Sequence, residues 1–165
     1  MLLQSLAIFQ GMPAHALEAM TRASTEEQIG EGEVVIRQGD PPTDFFVVKS
    51  GILEVLYTGE AGTQATSINT LGRGDYFGEI GLLERLPRTA TVRAASNAVL
   101  YRISGDAFLD AVTQAPVISG ALLGGMMTRL ARTHPSYRVT SPPTSSTTQP
   151  RPISRSVVTL RDAGR

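Results

Sequence analysis

The chain has 165 residues, 41% of them apolar and 18% charged, a balance that suits one folded domain and argues against wholesale disorder. Lys+Arg and Asp+Glu both total 15, so no overall basic field exists to attract nucleic acid. Cysteine is absent, which excludes disulfides, thiolate zinc sites and cysteine nucleophiles and fits a reducing compartment; the two histidines, His15 and His134, lie too far apart in sequence to suggest a metal site.

Residues 1–10 hold no lysine or arginine, and Gln4 and Ser5 interrupt their apolar run, so Ala14-His15-Ala16 is not read as the cleavage site of a signal peptide. Pro13 suits the first position of a helix, where a missing N–H costs nothing, and Ala16, Leu17 and Met20 then share one face. From Gly30 to Gly81 glycines crowd between short apolar runs. Val34–Ile36, Phe45–Val48, Ile52–Leu56, Thr66–Leu71, Thr89–Ala94 and Ala98–Ile103 are rich in branched and aromatic residues and predict strands. Turns fall at Gly39-Asp40-Pro41-Pro42, Ser50-Gly51 and Gly59–Gly62. This spacing predicts an antiparallel roll or barrel. Helical periodicity returns after Ile103, with Ser104 as N-cap, Asp106 in the first turn, and Phe108, Leu109 and Val112 as the apolar stripe.

Pro116 ends that helix and opens another, roughly 117–133, with Ile118, Leu122, Leu123, Met126, Met127 and Leu130 at helical spacing. Gly120, Gly124 and Gly125 each cost ~1 kcal/mol relative to alanine there, so this helix depends on what it packs against. The apolar run 117–127 falls short of the ~20 residues a bilayer requires. No transmembrane segment is expected, and the expected location is cytoplasmic. Beyond 134, Arg138, Arg151, Arg155, Arg161 and Arg165 face only Asp162, and Pro135, Pro142, Pro143, Pro150 and Pro152 stand among serines and threonines. The reading is a domain over 1–134 and a mostly disordered basic tail over 135–165, in which Val157–Leu160 is the run suited to ordering on a partner.

Most of the chemical information lies between Gly74 and Val92. A strand ends at Phe77, a glycine turn follows, and a short helix runs from about Glu79 to Arg85, stopped by Pro87. Amides at the start of such a helix attract an anion, and Arg88 can hold phosphate oxygens with two parallel bonds. Glu79 beside a phosphate is repulsive unless it accepts a hydrogen bond from the ligand, and a ribose hydroxyl is the natural donor. One sugar hydroxyl and one phosphate describe a nucleotide. One arginine beside one carboxylate suits a phosphate of single charge, as in a cyclic phosphodiester.

Phe77-Gly78-Glu79-Ile80-Gly81-Leu82-Leu83, followed by Pro87-Arg88-Thr89-Ala90-Thr91-Val92, resembles the phosphate-binding cassette of the cyclic-nucleotide-binding domain family. Gly32–Ile36, Gly39-Asp40, Phe46–Val48, Gly51 and Leu53–Val55 resemble its first half, so the likeness covers about residues 2–133. It implies a mainly β fold with flanking helices: an eight-stranded antiparallel β-roll of the jelly-roll (double-stranded β-helix) type, with N-terminal helices and C-terminal lid helices. It further implies that Glu79 accepts the ribose 2′-OH and that Arg88 holds the cyclic phosphate, with backbone amides around Ile80, Gly81 and Ala90. Phe77, Gly78 and Leu82 belong to the same cassette. Thr89 would offer its hydroxyl to the phosphate or the purine edge, Ile68 and Val92 would line the purine pocket, and Met126, Arg129 and Leu130 are candidates to cap the base. Thr89 leaves cAMP and cGMP both open.

Catalysis finds no motif. No Gly-x-Ser-x-Gly elbow occurs, the sole lysine, Lys49, follows no phosphate-binding glycine loop, and the carboxylates are scattered. The expectation is a non-enzymatic sensor or regulatory domain without cofactor or metal, which couples cyclic nucleotide binding to helix movement and a protein partner or fused effector. A DNA-binding domain after the lid is not expected, since the last 30 or so residues are poor in apolar groups. Residues 128–135 resemble the ends of such domains attached to bacterial major-facilitator transporters. A stand-alone sensor acting on a separate protein is the other reading. The alternative is a structural or interaction domain that has lost its ligand; such members usually lack the arginine or the glutamate, and both are present here. Oligomeric state is open.

Overall fold

In the computed structural model, which describes residues 2–59, 63–115 and Gly124, eight strands form two four-stranded antiparallel sheets. The strands are β1 (Ser24–Ile29), β2 (Val34–Ile36), β3 (Asp44–Ser50), β4 (Leu53–Tyr57), β5 (Thr66–Leu71), β6 (Tyr76–Phe77), β7 (Thr91–Ala94) and β8 (Ala98–Ser104). One sheet runs β1-β8-β3-β6 and the other β2-β7-β4-β5. The helices are α1 (Leu2–Ser5), α2 (Ala14–Arg22), α3 (Glu79–Glu84) and α4 (Gly105–Thr113), with a 3-10 turn at Ala7–Phe9. This is the mainly β roll with flanking helices that the cassette resemblance implies.

Strand β3 explains the layering. Phe45, Phe46, Val47 and Val48 are all buried although they alternate in direction. Phe45 and Val47 face the helices, where Phe45 stacks on Phe108 at 4.3 Å and meets Phe9 edge-on at 6.2 Å. Phe46 and Val48 face the inside of the roll with Leu53, Leu71, Val92 and Leu100, and Phe46 stacks on Phe77 at 4.9 Å. A strand apolar on both faces therefore joins two cores.

Strand β1 was not expected. Its sequence, Ser-Thr-Glu-Glu-Gln-Ile, lacks apolar alternation, and only Ile29 is buried. It forms because β8 presents an edge: all six of its residues pair with β8, Glu27 meets Arg102 of β8 (3.4 Å), and Glu26 reaches past β8 to Lys49 of β3 (2.7 Å). The two-residue β6 was visible only as a strand end. The predicted strand from Thr89 starts at Thr91, so Thr89 and Ala90 belong to the loop before β7. At α2, Pro13 is the N-cap with ψ 137° and not a residue of the first turn; its carbonyl accepts from Ala16 and Leu17. Ser104 caps α4 as expected, its hydroxyl accepting from the Ala107 amide at 3.3 Å. Apart from Gly124, the expected lid helix over 117–133, with its candidates Met126, Arg129 and Leu130, and the tail lie outside the described residues.

Candidate functional site

The site is built where β6 gives way to α3. Gly78 makes the turn with φ +93°, and a Cβ there would lie 2.9 Å from both Arg88 Nη1 and the Asp44 carbonyl oxygen. Helix α3 then runs one and a half turns and ends at Arg85, itself left-handed with φ 53°. Gly81 lets the helix sit against the β2–β3 loop, since a Cβ would come within 2.8 Å of Pro42. Pro87 precedes Arg88, whose backbone is clamped on both sides: its amide donates to the Asp40 carbonyl and its carbonyl accepts from the Gly39 amide, both at 2.8 Å.

The Arg88 side chain is only 4% exposed and Glu79 only 1%. Arg88 donates from Nη1 to the Gly78 carbonyl at 3.0 Å and from Nη2 to the Asp44 carbonyl at 2.8 Å. These bonds orient the guanidinium and leave three of its five N–H donors for other partners. Carbonyls satisfy donors without cancelling charge. Burial lowers the Arg88 pKa, and the charges of Asp44 and then Glu79 oppose that shift; a guanidinium nonetheless stays charged in a protein. The result is a fixed, desolvated cation at a cavity wall, where an anion gains most.

The cavity itself holds about 620 Å³ of empty space, its open mouth included. Of the residues singled out from sequence, Ile68, Phe77, Gly78, Glu79, Ile80, Gly81, Arg88, Thr89, Ala90 and Val92 all line it. Leu82 does not: it points to the other side of α3 and joins the helical core with Phe45 and Phe108. Sequence reasoning missed Ile36, Val55, Asn69 and Leu71, which also border the cavity. Ile36, Val55 and Leu71 were visible as strand residues, but which strand faces meet is decided by register. Polar groups thus gather at one end, around Glu79, Arg88 and Thr89, and hydrocarbon covers most of the rest. Among the described residues no three His, Cys, Asp or Glu side chains cluster as a metal site, and no helix is long and apolar enough to cross a membrane.

A family model described as the cyclic nucleotide-binding domain matches residues 26–115. An uncharacterized protein of Mycobacterium tuberculosis is 40% identical over 103 residues, which are 62% of this chain and 19% of that protein. The cAMP-dependent protein kinase regulatory subunit of Yarrowia lipolytica is 35% identical over 106 residues, 64% of this chain and 27% of the subunit. The chain therefore spans about a fifth to a quarter of the length of these relatives. Among solved structures, the regulatory domain of Toxoplasma gondii PKA with cAMP superposes with a TM-score of 0.65 at 26% identity, over 67% of this chain and 42% of that one.

Proposed function

The chain belongs to the cyclic nucleotide-binding domain family, and from that premise we propose that its cavity takes a purine cyclic monophosphate, cAMP or cGMP, and that the domain acts as a regulatory sensor. The observation that carries this reading is that a buried guanidinium and a buried carboxylate line one mostly apolar cavity. Arg88 holds the single phosphate charge with the donors that Gly78 and Asp44 leave over. Glu79 accepts from the ribose 2′-OH. Amides around Ile80, Gly81 and Ala90 and the Thr89 hydroxyl complete the phosphate end, while Ile68 and Val92 receive the purine. The kinase relative and the cAMP-bound neighbour, each a regulatory protein by name, support the same ligand class. No nucleophile, base or metal is needed for binding, so the domain works as a switch and not as a catalyst.

Helix α3 is suited to pass the signal on. Glu79 and Ile80 border the cavity while Leu82 sits in the core with α2 and α4. A shift of α3 on ligand binding therefore repacks the helical layer, which a fused effector or a separate partner protein can read. Calorimetry on the purified chain with cAMP and cGMP tests the reading. Binding of at least one is expected, and Arg88→Leu should abolish it while the variant still unfolds cooperatively. Failure of both nucleotides to bind at millimolar concentration would leave the ligand-free interaction domain in its place.

A further inference from the structure

The loop at the phosphate end is held from outside the cavity by the segment that leaves β2. The Gly39 amide donates to the Arg88 carbonyl and the Arg88 amide to the Asp40 carbonyl, both at 2.8 Å. At the other end of the loop, the Gln38 amide donates to the Thr91 hydroxyl at 3.0 Å. Residues 38–40 and 88–91 therefore run side by side. Thr89 and Ala90, which line the cavity, stand between the two points of attachment. None of Gln38, Gly39, Asp40 and Thr91 lines the cavity itself.

Gln38 is also fixed from the opposite direction. Its carboxamide donates to the Thr58 carbonyl at 2.8 Å and accepts from the Thr58 amide at 2.9 Å. These are the two bonds that a strand neighbour would exchange, supplied here by a side chain. Thr58 directly follows β4, and β4 and β2 are the two neighbours of β7. The register brings the three strand ends together, since Ile36 pairs with Val92 and Leu56 with Thr91. Gln38 thus joins the ends of the flanking strands beside the point where β7 begins. It is half-buried, and its amide nitrogen, amide oxygen and backbone N–H all have partners.

We propose that Gln38 is a positioning residue for the cyclic phosphate: it touches no ligand and holds the loop on which Arg88, Thr89 and Ala90 present their donors. The inference rests on the reading that the cavity binds a purine cyclic monophosphate. A phosphate gains from several donors at once only when they already stand within hydrogen-bond reach of its oxygens. The Arg88 guanidinium is oriented by the Gly78 and Asp44 carbonyls. The Thr89 hydroxyl and the amide of Ala90 depend instead on where the loop backbone lies, and the tie from Thr58 through Gln38 to Thr91 sets that. Loss of the tie lets the loop drift. The cost then falls on the phosphate and not on the purine, which meets Ile68 and Val92 on the strands. A glutamine that served the fold alone would lower stability without singling out one end of the ligand.

The test titrates the full chain with cAMP, or with cGMP if that alone binds, beside Gln38→Met, which keeps the side-chain length and deletes the amide. Affinity of the folded variant should fall about tenfold. The phosphorus resonance of the bound nucleotide should move toward its free position, while the purine H8 resonance keeps its bound one. A folded variant with unchanged affinity overturns the assignment, as does one that moves both resonances alike or the purine one alone. Should Gln38→Met not fold, Thr91→Val decides, because it removes only the hydroxyl that receives the Gln38 amide and keeps a branched strand residue. It should weaken binding about threefold with the same phosphorus shift, and Thr91→Ser should restore both. Unchanged binding in Thr91→Val overturns the assignment. If the unaltered chain takes up neither nucleotide, the underlying reading fails, an outcome distinct from binding that ignores Gln38.

Discussion

Gly78 and Arg88 constrain each other. The glycine sits at φ +93° and its missing Cβ leaves the space that the Arg88 Nη1 occupies, 2.9 Å from where that carbon would stand. Gly78→Ala therefore adds backbone strain and moves the guanidinium. A loss of about 1–3 kcal/mol in denaturant unfolding is expected, together with a weakened nucleotide titration. Arg88→Leu should behave in the opposite proportion, with ligand response abolished and the fold retained, because the arginine bonds only carbonyls in the contacts that fix it. Unchanged affinity in either variant would remove Arg88 from the phosphate site. Both residues were legible in the sequence, since a Gly-Glu step followed nine residues later by Arg is a local pattern. Asn69 was not. A lone asparagine among threonines and serines reads as a turn or surface residue until its pairing with Val55 across the β4–β5 ladder is seen.

Elements show where local signals suffice. Helix α4 was legible because Ser104 caps it and Phe108 and Val112 of the expected stripe are buried, though Leu109 is only half-buried and Ala111 takes its place on the buried face. Ser104→Ala should cost about 1 kcal/mol, and Phe108→Ala about 3–5 kcal/mol, since the latter removes a ring stacked on Phe45. Both are read by chemical denaturation. Leu82→Ala separates the two sides of α3. It opens a hole in the helical core and should lower stability by about 2–5 kcal/mol while leaving the cavity lining intact. Cyclic nucleotide affinity in that variant should fall less than in Arg88→Leu, and an equal fall would mean that Leu82 contacts the ligand after all. Strand β1 is the counterexample. Nothing in Ser24–Gln28 marks a strand, because its stability comes from the β8 edge and from cross-strand ion pairs and not from its own hydrophobic face.

At the scale of the molecule, two cores share one strand. The helices and the roll interior meet across Phe45–Val48, so ligand binding in the roll and packing of the helices are mechanically adjacent. A ligand that binds the folded chain only should stabilise it, by ~2.7 kcal/mol at a hundred times its dissociation constant. Thermal melting with saturating cAMP should show that rise, and Arg88→Leu should not. Removal of residues 138–165 should leave both the melting temperature and the affinity unaltered, given how few apolar groups that segment offers a core. A truncated chain that unfolds would move the domain boundary beyond 134.

Local order along the chain was enough to show a roll of short strands, a capped helix and a cassette with one glutamate and one arginine, because each of these depends on neighbours within about ten residues. What lay beyond it was every feature made by pairing distant segments. The polar β1 exists through β8, Leu82 turns away from the cavity because Gly105 and β3 draw it into the helical layer, and Ile68 joins Asn69 on the cavity face through a slipped register against β4. Side-chain direction in a sheet alternates residue by residue, so a single bulge reverses it, and only the paired strands reveal where that bulge falls.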